Sequence, residues 1–116
     1  MVLVIDDDDD IRETVADLIG WRGFEVTQAA NGQEALALLQ SSQVPCVILL
    51  DLVMPVMDGW QFLERLRGAP GLRDVPVVIV SGHARSHAPA GVTKVLHKPF
   101  DIEDLYAAVA EHCGST

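Results

Sequence analysis

Residues 44–60, VPCVILLDLVMPVMDGW, decide how the chain folds. The apolar run Val47, Ile48, Leu49 and Leu50 stops abruptly at Asp51, and a turn holding Pro55, Asp58 and Gly59 follows before the next amphipathic segment. Continuous rather than alternating hydrophobicity means that both faces of a strand are covered, as at the centre of a parallel sheet. In open α/β sheets ligands bind in the crevice beyond the carboxyl ends of the strands. Asp51 therefore stands at the expected site.

Working outward, Val2, Leu3, Val4 and Ile5 form a short apolar strand that runs straight into five aspartates at 6–10. A helix follows, because Ile11, Val15, Leu18 and Ile19 share one face at helical spacing, with Asp10 and Glu13 at capping-box spacing and Gly23 as the stop. Residues 24–27 alternate like a more exposed strand, Asn31 and Gly32 turn the chain, and Ala35, Leu36 and Leu39 mark a second, short helix. Beyond the central strand, residues 60–67 set Phe62, Leu63 and Leu66 along one side of a third helix, which Gly68, Pro70 and Gly71 end. Residues 75–80 are a wholly apolar strand finishing at Ser81, and a strand at 94–96 leads into His97, Lys98, Pro99 and Phe100. Asp101 caps a last helix whose buried stripe is Leu105, Ala108 and Val109. Strand and helix alternate, so the expected class is α/β with a parallel sheet. The fourth helix is short or missing, because residues 83–93, HARSHAPAGVT, hold Pro89 and Gly91 and almost no apolar periodicity.

At 116 residues and 49% hydrophobic, one domain over 1–116 is expected. No apolar run reaches the roughly 18 residues of a membrane span. The opening MVLVIDDDDD has no basic segment ahead of its apolar stretch, so it reads as a strand and not a signal peptide, and the expected location is the cytoplasm. A net charge of −9 argues against direct binding to nucleic acid or an anionic membrane. Cys46 and Cys113 fit neither a disulfide framework nor CxxC metal spacing, and the expectation is one core thiol and one tail thiol. His83, His87, His97 and His112 lack metal-ligand spacing.

Right-handed crossovers put all the carboxyl ends of a parallel sheet on one edge. Asp6 and Asp7, Asp51, Ser81 and Lys98 each follow or finish a strand, so residues remote in sequence converge. Close carboxylate pairs repel by roughly 3 to 4 kcal/mol each at an effective dielectric near 20. Such a cluster calls for cations, for which Lys98 and a divalent metal are the candidates. Oxygen donors favour Mg²⁺ or Mn²⁺ over Zn²⁺. Phosphoryl transfer asks mainly for positioning and charge neutralisation, and an aspartate can act as its nucleophile.

VLVIDDD, ILLDLVMPVMDG, VVIVSG and HKPF, in that order and each at a strand end, resemble the CheY-like receiver domain of two-component response regulators and hybrid histidine kinases. The resemblance covers essentially the whole chain. It implies a flavodoxin-like, doubly wound five-stranded sheet of order 2-1-3-4-5 with helices on both faces. It further implies that Asp51 accepts a phosphoryl group from a phosphohistidine on a sensor histidine kinase or histidine phosphotransfer protein, and that a downstream protein partner reads the change. Asp6, Asp7 and Asp51 with the carbonyl of Val53 would hold Mg²⁺, Lys98 would contact the phosphoryl oxygens ahead of a cis Pro99, and Ser81 would report the phosphoryl group. The domain would then assist its own modification without being a turnover enzyme. Two departures stand out. Val95 occupies the place where such domains usually carry Tyr or Phe, and the segment 83–93 is short.

Other readings make different demands. A pseudo-receiver would be an interaction module whose phosphorylation is lost or without consequence. A phosphohydrolase with an aspartate nucleophile would want an acid where Val53 stands. A nucleotide binder of this topology would want a Gly/Ser/Thr-rich phosphate loop after the first strand, where residues 6–10 would instead repel phosphate.

Overall fold

The computed structural model describes residues 1–41, 44–51, 59–69, 71–72, 74–81, 94–97 and 101–113. Five parallel strands, β1 (Val2–Ile5), β2 (Val26–Ala29), β3 (Val47–Leu50), β4 (Val77–Ser81) and β5 (Lys94–His97), form one sheet of order β2-β1-β3-β4-β5. Among the described residues the helices are α1 (Asp9–Gly20), α2 (Gly32–Ser41), α3 (Gly59–Gly68) and α4 (Ile102–Cys113). Segment 83–93, where a short or missing helix is expected, lies outside the described residues.

Both faces of the sheet are covered, and the pleat sorts the apolar strand residues between them. Leu3, Ile5, Ile48, Leu50, Val77 and Ile79 pack with Phe62, Leu63 and Leu66 of α3 and with Ala35 and Leu39 of α2. Their neighbours Val2, Val4, Val47, Leu49, Val78 and Val80 pack with Val15 and Ile19 of α1 and Leu105, Ala108 and Val109 of α4. This two-sided burial is why strands β1 and β3 read as unbroken apolar runs; every residue of both is buried.

Several boundaries differ from the sequence expectation: β4 starts at Val77 and not at 75, β5 runs on to His97, and two others have a visible local cause. The N-cap of α1 is Asp8, not Asp10: its extended backbone (φ −83°, ψ 111°) lets the side chain accept from the Ile11 amide at 3.1 Å. Strand β2 runs from Val26 to Ala29 and not over 24–27, because Trp21, Arg22 and Gly23 close the end of α1 with amide bonds back to Asp17, Ile19 and Gly20. Gly23 takes φ 93°, a conformation that costs glycine little, and the ladder with β1 begins only where the Val2 amide donates to the Glu25 carbonyl at 2.7 Å. At the start of α2, Asn31 accepts from the Glu34 amide at 2.8 Å, while the Glu34 carboxylate accepts from the Ala30 amide at 3.3 Å. The first bond satisfies an amide that the first turn leaves over, and the second ties the Glu34 side chain back to the residue before the cap.

The cysteines correct the expectation of two separate thiols. Cys46 and Cys113 are joined in a disulfide with their Cα atoms 5.3 Å apart, inside the range such a bridge requires. Helix α4 runs back across β3, so its last turn arrives beside the residue preceding that strand. The 67-residue separation hides this proximity from any reading of local spacing. Elsewhere on that face, Arg22 stacks on the Tyr106 ring at 3.9 Å and pairs with Glu103 at 3.0 Å, while the Tyr106 hydroxyl donates to the Leu18 carbonyl at 2.7 Å, tying α1 to α4.

Candidate functional site

Register brings the acids together. Ile5 of β1 lies opposite Leu50 of β3, so the next residues, Asp6 and Asp51, leave the sheet side by side. Backbone bonds continue the ladder to that point: the Asp51 amide donates to the Ile5 carbonyl at 3.0 Å and the Asp6 amide to the Ala29 carbonyl at 3.2 Å. One carboxylate oxygen from each of Asp6, Asp7 and Asp51 lies within 4.8 Å of the others. Asp6 is buried at 5% exposure, Asp51 is half-buried and Asp7 is exposed, so the cluster reaches solvent at Asp7. Its floor is apolar: Val4, Val15, Leu49 and Val80 line a small recess together with Asp6 and Asp51.

Asp6 is held by its neighbours. The Asp8 amide donates to Asp6 Oδ1 at 2.9 Å, which fixes the rotamer of the buried carboxylate. Arg12, one turn into α1, donates through Nη1 to the Asp6 carbonyl at 2.9 Å, through Nε to Gln28 Oε1 at 3.2 Å, and lies 2.7 Å from the Asp9 carboxylate. Nothing in the local sequence singles Arg12 out, since an arginine among acids on a helix looks like part of a solvated face. Ser81 ends β4 on the same edge, opposite His97, the last residue of β5. Lys98 and Val53, the remaining expected site residues, lie outside the described residues, as does Pro99.

Three carboxylates this close carry a repulsive penalty unless cations lie among them. A small divalent cation removes that penalty, and the donor set fits one: it is all oxygen, each residue offers one atom, and the exposed side leaves room for water ligands. No cysteine or histidine joins the cluster among the described residues, so the preference is for a hard ion over zinc.

A doubly wound parallel sheet carrying paired acids beyond its first and third strands is the build of a CheY-like signalling domain. The chain belongs to the response regulator receiver domain family, whose sequence pattern matches residues 2–110. In structure it is similar to the chemotaxis protein CheY4 of Vibrio cholerae, with 32% identity, a TM-score of 0.84 and 96% of each chain covered. It is likewise similar to the receiver domain of the hybrid histidine kinase CckA, with 34% identity, a TM-score of 0.79 and 96% of each chain covered. Among full-length regulators it is 34% identical over 113 residues to the DNA-binding dual master transcriptional regulator RpaA of Synechocystis, covering 93% of this chain and 46% of RpaA. The chain thus spans about half the length of that relative. The flavodoxin-like fold and two-component class expected from the four sequence motifs are both borne out.

Proposed function

We propose that the chain is a phosphoacceptor receiver in which Asp51 takes a phosphoryl group from a phosphohistidine donor in a Mg²⁺-dependent step, and that the modification switches its protein contacts. The convergence of Asp6, Asp7 and Asp51 at the carboxyl edge of the sheet carries this reading. Asp51 is the natural nucleophile because β3, buried on both faces, delivers it to the middle of that edge, flanked by β1 and β4. Its carboxylate oxygen attacks phosphorus as the P–N bond of the donor breaks, and the departing imidazole takes up a proton. Asp6 and Asp7, together with the Val53 carbonyl, are assigned to the ion, which when bound neutralises the acids and the phosphoryl oxygens. Lys98 is assigned to the phosphoryl oxygens and Ser81 to sensing them.

On this reading residues 1–116 are a single receiver module, cytoplasmic and not a turnover enzyme. Its upstream partner is a sensor histidine kinase or a histidine phosphotransfer protein, and its downstream partner is a protein. A net charge of −9 makes direct contact with nucleic acid or an anionic membrane unfavourable. Incubation with acetyl phosphate tests the proposal by intact mass. The expected result is a gain of one phosphoryl group that requires Mg²⁺ and disappears in Asp51→Asn. Phosphorylation that persists in Asp51→Asn would overturn it. Phosphorylation at Asp51 with no change in any partner's affinity would instead favour a pseudo-receiver.

A further inference from the structure

We infer that Arg12 is a positioning residue for the metal-holding acids, acting through the backbone of Asp6 rather than through its own charge. The inference rests on the Mg²⁺ reading above.

The turn between β1 and α1 has to present Asp6 and Asp7 towards Asp51 while keeping Asp8 and Asp9 out of the cluster. Arg12 brackets that turn. Its guanidinium holds the Asp6 carbonyl (2.9 Å) at the start and the Asp9 carboxylate (2.7 Å) at the end, and Nε reaches across to Gln28 of β2 (3.2 Å). The side chain is only 12% exposed, so these bonds form in a partly desolvated place where their geometry is enforced, whereas Asp9 is 75% exposed and adds little by charge alone. Fixing the Asp6 carbonyl fixes the peptide that leads into Asp7. The Asp8 amide fixes the Asp6 carboxylate from the other side. Three donors pointing in three directions from one plane are a property of guanidinium; an ammonium has the charge but not the fork.

Charge and position predict opposite signs. A cation beside an acidic cluster competes with Mg²⁺, so deleting it should tighten Mg²⁺ binding if charge is all that matters. If Arg12 positions the acids, deleting it should loosen binding, and outer partners of metal ligands typically account for 10- to 100-fold in affinity. The two effects separate cleanly in a binding measurement.

The test is isothermal titration of Mg²⁺ into the whole chain, well below the melting temperature of each variant, with circular dichroism checking the fold. Arg12→Ala is expected to weaken Mg²⁺ binding at least about 10-fold, and Arg12→Lys to recover little of that loss because it restores charge without the fork. Gln28→Ala, which leaves Arg12 in place but removes one of its supports, is expected to weaken binding by a smaller factor, about 2- to 5-fold, and keeps the test available if Arg12→Ala does not fold. Unchanged or tighter binding in the Arg12 variants, or full recovery by lysine, would overturn the inference while leaving the Mg²⁺ site intact. Failure of the unaltered chain to bind Mg²⁺ would overturn the underlying reading and the inference with it.

Discussion

Asp6 and Asp51 meet because Ile5 and Leu50 are register partners, and a shift of either strand by one residue would turn these side chains to opposite faces. On the proposed Mg²⁺ reading, part of their mutual repulsion remains when the ion is withheld. Asp51→Asn is therefore expected to raise stability in EDTA by about 1 to 2 kcal/mol, read as a higher urea midpoint with unchanged slope. Added Mg²⁺ should stabilise the unaltered chain by mass action and the variant much less. Tyr106→Phe addresses a single bond: losing the hydroxyl that donates to Leu18 should cost about 1 kcal/mol by the same measurement, while the ring keeps its stacking on Arg22. At this scale the acids were legible, since an apolar run that halts at an aspartate is conspicuous. Arg12 was not, because its role lies in bonds to a carbonyl and to a glutamine sixteen residues on, neither of which leaves a trace in spacing.

Helices and strands were legible in kind and approximate in extent. The stripes Phe62, Leu63, Leu66 and Leu105, Ala108, Val109 are buried as their spacing predicts. What sequence could not resolve was choice among equivalents. Any of the aspartates at 8–10 has the chemistry of an N-cap, and only the extended backbone at Asp8 selects it. The alternation at 24–27 places Phe24 and Val26 correctly against the core, yet the ladder starts later because β1 sets where pairing begins. Helix α2, only 10 residues long, is too short to hold alone in water and so leans on its first turn as well as on packing. Asn31→Ala, which strips the cap from the Glu34 amide, is expected to lower stability by about 1 kcal/mol, with faster amide exchange confined to the first turn of α2.

At the scale of the whole molecule, the two-sided sheet follows from the unbroken apolar runs of β1 and β3, and its strand order from the likeness carried by four motifs. The disulfide did not follow from either, since only the return of α4 across β3 brings its ends together. Closing so long a loop restricts the unfolded chain, so reduction, or Cys46→Ser with Cys113→Ser, is expected to cost about 2 to 4 kcal/mol and to lower the melting temperature accordingly. Asp51 lies at the opposite edge of the sheet from Cys46, so the phosphorylation proposed for it should survive that change. The bond also alters what cleavage does to the molecule. A peptide cut anywhere between Cys46 and Cys113 opens a covalent ring without releasing a fragment, so nicked protein should migrate as one species on a gel until a thiol is added, and then part into two.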